Sequence, residues 1–368
     1  MKHLLSGQKY IISAENGNFV PMKTLRTRTI RRAVLAVLAV GVLSVRFCPG
    51  LGEAYALRLY PVISRVLSWM AAAVPFSLDE VLVLAAVSAA LIGIPWARRR
   101  GVRWKRIGGT VGEAVLWMYV WFYWGWGLNY FRDGLCRRMQ VEPAPFEEAR
   151  FRSFLSGYTS RLNASVTACG GTDRFPEYRD SIRSAFLQVP SRYGLSRPAA
   201  WQCPKRSCCN ALYSSVGVLG YMGPFFAESH LNHDLLPEQY PFIYAHELSH
   251  LLGVSSEAEA NYWAYRVCTT SSDARIRYSG YFGLFGYVAS NARSVLSESD
   301  YREWLRTVRP EVVEQYVSQR DYWHAKYSPL LGAVQERLYH FYLKGNNIPS
   351  GQKNYAEVIG LLLSLGEE

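Results

Sequence analysis

Three apolar stretches, Ala33 to Val45, Val81 to Ala97 and Ile107 to Leu128, follow one another in the first third of the chain, and basic residues flank each of them. Hydrocarbon offers no partner to a bare peptide group, so such stretches cross a bilayer as helices, and a helix needs about 20 residues to span roughly 30 Å. The first stretch is free of charge and reaches Leu51 if Arg46 snorkels to the interface. The second lies between Asp79-Glu80 and Arg98-Arg99-Arg100, and the third is dense in Trp and Tyr with Glu113 as its sole acid. The pattern predicts a membrane region over residues 33–128 with three transmembrane helices, at about 33–51, 79–97 and 107–128.

Charge sets the orientation. The net charge of +12 comes entirely from residues 1–32 and from the run Arg98 to Arg106. Basic loops stay in the cytoplasm, so a basic cytoplasmic N-terminus (1–32) is followed by the membrane region and by an extracytoplasmic domain (129–368) in a multi-pass cell-membrane protein. The loop Phe47 to Glu80 falls outside, with an interfacial helix ending before Pro75. The lipid bilayer is therefore a partner. The remainder of the chain has no net charge, which argues against a nucleic-acid partner. No Ala-x-Ala site follows the first stretch, so it reads as an uncleaved anchor rather than a signal peptide. Met22-Lys23-Thr24-Leu25-Arg26 resembles a translation start, which makes residues 1–21 an upstream extension. Six of the seven cysteines (Cys136, Cys169, Cys203, Cys208, Cys209, Cys268) fall in the outer part, an even number that disulfides can consume. A metal knuckle at Cys203-x4-Cys208-Cys209 is disfavoured, because no second Cys or His pair stands at zinc-finger spacing.

Chemistry enters at Tyr244-Ala245-His246-Glu247-Leu248-Ser249-His250. Residues i and i+4 share a helix face, so both imidazoles can reach one Zn2+ ion while Glu247 leans toward its open position. Pro237 and Pro241 confine the helix start to about Pro241, and Gly253 stands where a left-handed residue ends it. A second helix is expected after Ser255-Ser256, a good N-cap followed by acidic residues. It supplies the third ligand. Glu257 is the choice, with Asn261 one turn on as a supporting hydrogen-bonding group and Ala258 and Ala260 allowing close helix approach. Glu259 competes, but it points about 200° away from Glu257, so only one of the two faces the metal.

These residues resemble the gluzincin metallopeptidases, whose second helix carries a Glu-x-x-Ala-Asp/Asn signature; Glu257-Ala258-Glu259-Ala260-Asn261 fits it with Asn in the last place. The metzincin pattern requires His where this chain has Ser256. The chain as a whole resembles the DUF3810 family of bacterial membrane proteins. That likeness rests on the apolar N-terminal third, Gly127 to Arg132, Gly220 to Glu228, the motif helix pair, and Tyr342-Leu343-Lys344 with Tyr355.

The fold class expected is mainly α with a small β-sheet (α+β), a three-helix membrane region followed by a zincin-like catalytic domain. Pro145 to Leu162, Tyr178 to Leu187, Ser299 to Val317, Arg320 to Leu343 and Tyr355 to Leu365 have helical spacing. Ala211 to Phe226 reads as strand and turn, a candidate edge strand for an extended substrate. Glu228, His230 and His233 read as solvated loop residues. No repeat, heptad run or phosphate-binding glycine loop is apparent.

The function expected is a membrane-anchored zinc metallopeptidase acting on a peptide or protein substrate, with His246, His250 and Glu257 on the metal and Glu247 as general base. Tyr281, Tyr287 and His340 are candidates for stabilising the oxyanion. The alternative is a non-catalytic metal-binding sensor or scaffold. A transporter built around Glu113 is the weakest reading, because three spans are few for one.

Overall fold

In the computed structural model, residues 10–12, 19–145, 147–169, 175–345 and 357–366 are described. They are mostly helical, with two antiparallel two-stranded sheets, β1 (Tyr10–Ile12) with β2 (Phe19–Pro21) and β3 (Gly220–Gly223) with β4 (Glu228–Leu231). The expected mainly helical class with a small sheet is what the chain forms. Residues 1–9 and 13–18 of the supposed upstream extension, and Tyr355, lie outside the described residues.

Four helices occupy residues 22–125: α1 (Met22–Phe47), α2 (Leu51–Ala72), α3 (Leu78–Arg99) and α4 (Trp104–Gly125). Three separate spans are not what they show. Among the described residues one helix, α3, is long and apolar enough to cross a membrane, and α1 with α2 passes the same test only as a pair bent by 119°. The helix α4 has 22 residues, about 33 Å of rise, but Glu113 and its many Trp, Tyr and Gly residues dilute its hydropathy. Glu113 pairs with Arg31 of α1 at 2.6 Å, so the lone acid is neutralised within the chain. Val37, Leu91 and Ile92 are each at least 70% exposed, apolar surface that water penalises and lipid does not.

The region after residue 129 is built around three helices, α7 (Tyr240–Leu251), α8 (Glu257–Thr269) and α9 (Ala274–Val295), with α5 (Glu148–Ser165) and α6 (Phe175–Gln188) before them. Eleven of the 12 residues of α7 and 11 of the 13 of α8 are buried. Helices buried on every side form the centre of a domain rather than its surface. Trp263, Tyr262, Tyr244 and Phe285 fill that centre, each worth roughly 2–3 kcal/mol of burial.

Beyond the motif helices, the helical stretches read from spacing begin only at Ser299, yet α9, over 274–295, is one of the longest helices among the described residues. Its Gly280 and Gly283 face α8 and α7, and a Cβ on Gly280 would stand 2.7 Å from that of Cys268. Glycine lowers helix propensity but here permits helix contact that a larger residue forbids. The long repeats expected beyond it are cut by proline into α10 (Glu298–Thr307), α11 (Pro310–Lys326) and α12 (Pro329–Gly345), followed by α13 (Val358–Ser364). The stretch expected as strand from Ala211 opens instead with a short helix, Asn210–Ser215, and only Gly220–Gly223 pairs as a strand.

Candidate metal centre

Local chemistry places each element of the centre. Pro241 sits in the first turn of α7, where its missing N–H costs nothing, and Gly253 takes φ +98° beyond the last turn. The Ser256 hydroxyl caps α8 by accepting from the amide of Glu259. The turn between the two helices is short, so their ligand faces meet.

They meet at three atoms. His246 Nε2 lies 3.1 Å from His250 Nε2 and 3.1 Å from Glu257 Oε2, and His250 Nε2 lies 3.3 Å from the same Glu257 oxygen. Tetrahedral zinc ligands at bond lengths of about 2.0–2.1 Å stand about 3.3 Å apart, so the donor set and its spacing fit that ion. The outer ring nitrogens are fixed as well: His246 Nδ1 bonds Asn261 Oδ1 at 2.8 Å and His250 Nδ1 bonds the carbonyl of Val254 at 2.8 Å. An Nδ1–H donated outward leaves the Nε2 lone pair facing the centre, the arrangement that metal-binding histidines use. Asn261 thus orients the His246 ring.

Electrostatics follow from burial. Burial pushes the Glu247 carboxyl up to about 7 against the pull of both imidazoles. Burial works in the same direction on Glu257, but the two imidazoles outweigh it and hold that carboxyl well below the usual range. For His250 burial would lower the pKa, and Glu257 beside it holds it up at about 9 instead.

Glu259 does not join the centre. Its carboxylate accepts from Arg138 and from Trp263 Nε1 (3.1 Å), inside the packing of α8. Tyr287 lines the cleft over the centre beside Asn261, and burial pushes its hydroxyl up to about 12, so it stays a donor. Tyr281 packs against Tyr158 and Tyr265 instead and does not line the cleft, and the side chain of His340 lies outside the described residues.

Several residues that shape the site carried no role in the sequence reading. A Cβ on Gly220 would stand 2.7 Å from Glu247 Oε1, so β3 passes directly over the carboxylate only because that position is glycine. The turn joining α7 and α8 is held from the N-terminal region: Tyr60 Oη donates to Leu251 O (2.8 Å), Trp126 Nε1 to His250 O (2.9 Å), and Arg132 Nη1 to Gly253 O (2.9 Å). Asn129 O accepts from Ser255 Oγ at 2.9 Å. Glu228 and His230 are not solvated loop residues but buried, and only His233 is exposed. Glu228 accepts from Ser77 Oγ and from the amides of Leu78 and Asp79 at the start of α3, where a helix N-terminus favours an anion.

A family model described as "Protein of unknown function (DUF3810)" matches residues 55–363. The chain belongs to the DUF3810 family. No curated protein and no solved structure matches it. The DUF3810 match runs from the N-terminal helices through the centre to α13, so the residues that clamp the turn and those that form the centre belong to one family unit.

All seven cysteines are free thiols, which corrects the expectation of disulfides in the outer part. Cys208 and Cys209 Sγ lie 3.7 Å apart and meet Glu80, while Cys203 stays apart. Glu80 already accepts from Ser207 Oγ, Cys208 N and Tyr221 Oη, so the protein's own donors account for its burial.

Proposed function

We propose that this chain is a membrane-anchored zinc metallopeptidase whose centre is His246, His250 and Glu257, with Glu247 as general base. The observation that carries the reading is the convergence of two imidazole nitrogens and one carboxylate oxygen at 3.1–3.3 Å, each imidazole oriented by a partner on its far nitrogen. Zinc held there supplies Lewis acidity, lowering the pKa of water and polarising a carbonyl.

The chain's own residues do the rest. Glu247, near neutrality through burial, takes a proton from the attacking water and returns it to the leaving amine. Tyr287 donates to the developing oxyanion. Among the described residues no strand pairs with the second edge of β3, which lines the cleft and suits main-chain pairing with an extended peptide. In this reading α1, α3 and α4 cross the membrane with the basic run Arg98 to Arg106 inside and the centre outside.

The test uses the full chain in detergent or nanodiscs. Zinc should be present in parent and Glu247→Gln alike and be lost in His246→Ala, while peptide hydrolysis should vanish in Glu247→Gln. Equal hydrolysis by parent and Glu247→Gln rejects the mechanism. Bound zinc with no hydrolysis by the parent favours the sensor or scaffold.

A further inference from the structure

The cleft over the centre is a cavity of about 1220 Å³, and its wall has a simple property. Among the described residues lining it, the only Lys, Arg, His, Asp or Glu are His246, Glu247, His250 and Glu257 themselves. Every other contact is apolar, aromatic, glycine or neutral amide, with Leu219, Met222, Phe242 and Ile243 typical. Away from the centre itself, a chain terminus, or an acidic or basic side chain, would lose water there with no counter-charge among the described residues to replace it, which is heavily penalised.

The cleft is also close to the end of α3, the helix most fit to cross a membrane. Asp79, in its first turn, accepts from the amides of Phe225 (2.9 Å) and Phe226 (3.1 Å) in the β3–β4 turn. A Cβ on Gly223 would touch the Asp79 carboxyl, and one on Gly220 would touch Glu247. Three residues of strand separate those two contacts, about 10 Å. The polar layer on each side of a bilayer is itself about 5–8 Å deep. With α3 in the bilayer, the general base would therefore stand roughly 10 Å from the point where that helix enters it.

We propose that the cleft takes the uncharged, apolar interior of a polypeptide at the point where that polypeptide leaves the outer face of the bilayer. This rests on the peptidase reading and on α3 crossing the membrane, and it makes the enzyme an endopeptidase of membrane-attached chains. Among the described residues outside the centre, a terminal ammonium or carboxylate finds no charged receptor in the wall, which favours cutting within a chain over cutting from its end.

Full-length Glu247→Gln protein in lipid nanodiscs reads occupancy without turnover. The probe is a fluorescent peptide of Ala, Leu and Phe, acetylated and amidated, held to the bilayer by a palmitoyl chain and a short Gly-Ser link. Asp or Lys placed at its middle should weaken binding about tenfold or more. Replacing the link by ten prolines, a stiff spacer of about 31 Å, should do the same by lifting the segment past the cleft. Equal binding of neutral and charged peptides, or indifference to the spacer, overturns the proposal. Hydrolysis by the parent is read separately. Selective binding without hydrolysis retires the peptidase reading and keeps the occupant, whereas Glu247-dependent hydrolysis without selectivity keeps the enzyme and discards the occupant.

Discussion

Replacing Gly220 by alanine is the most direct way to ask whether Glu247 works where it sits. The added methyl carbon would stand 2.7 Å from Oε1, 2.8 Å from Cγ and 3.0 Å from Cδ of Glu247. Carbon contacts become comfortable at about 3.5 Å, so about 0.7 Å has to be found. Glu247 cannot supply it by turning outward, because α7 is buried on nearly every side and Glu247 itself is 5% exposed. Either β3 lifts or the carboxylate slides along the centre, and a displacement approaching 1 Å costs up to about a hundredfold in rate. Gly220→Ala should therefore lower kcat/KM by about 10- to 100-fold, while destabilising the fold by only about 1–3 kcal/mol as overpacking does. Zinc content should be unchanged, since the three atoms nearest the new methyl all belong to Glu247 and none to His246, His250 or Glu257. The assay is peptide hydrolysis by the full chain beside zinc analysis and a melting curve. Full activity in Gly220→Ala, or lost activity that tracks lost zinc, refutes this account of the carboxylate's position.

Other outcomes follow from the same contacts. Asn261→Ala removes the partner of His246 Nδ1 and should weaken zinc affinity by about 10- to 100-fold in competition with a chromophoric chelator; an unchanged affinity removes Asn261 from the centre. Glu259→Gln leaves Arg138 buried without its charge partner and should cost about 3–5 kcal/mol near neutral pH. Burial would raise the Glu259 carboxyl, but Arg138 and Arg132 hold it below its ordinary value. Its stabilisation is thus complete above the unfolded pKa of about 4.3 and is lost as pH falls through the lower folded value, so the gap between parent and Glu259→Gln should close in acid. A gap that widens there contradicts the pairing. Because every cysteine is a free thiol, a reductant should leave the melting temperature where it was, and a fall would reveal a bridge.

The centre was legible because its information is local. His246, Glu247 and His250 share one helix, Ser256 caps the next, and the 200° between Glu257 and Glu259 lets only one face the imidazoles. What stayed hidden depends on contacts between distant segments. Gly280 and Gly283 look like helix breakers until α7 and α8 are seen pressed against them. Glu228 looks like a surface acid until the first turn of α3, some 150 positions earlier, supplies its donors. The third apolar stretch falls short of a clear span's hydropathy for another reason: Trp and Tyr favour interfaces more than hydrocarbon, and α4 is rich in both.

The clamp on the turn between α7 and α8 has a practical side. Carbonyls of Leu251, His250 and Gly253 find their donors on Tyr60, Trp126 and Arg132, so a secreted fragment trimmed to begin at residue 129 would keep only the last of these. The Leu251 carbonyl would lose its donor outright, and the His250 carbonyl would be left with the amide of Gly253 (3.1 Å). Cutting away the N-terminal helices should therefore deliver aggregate rather than reagent.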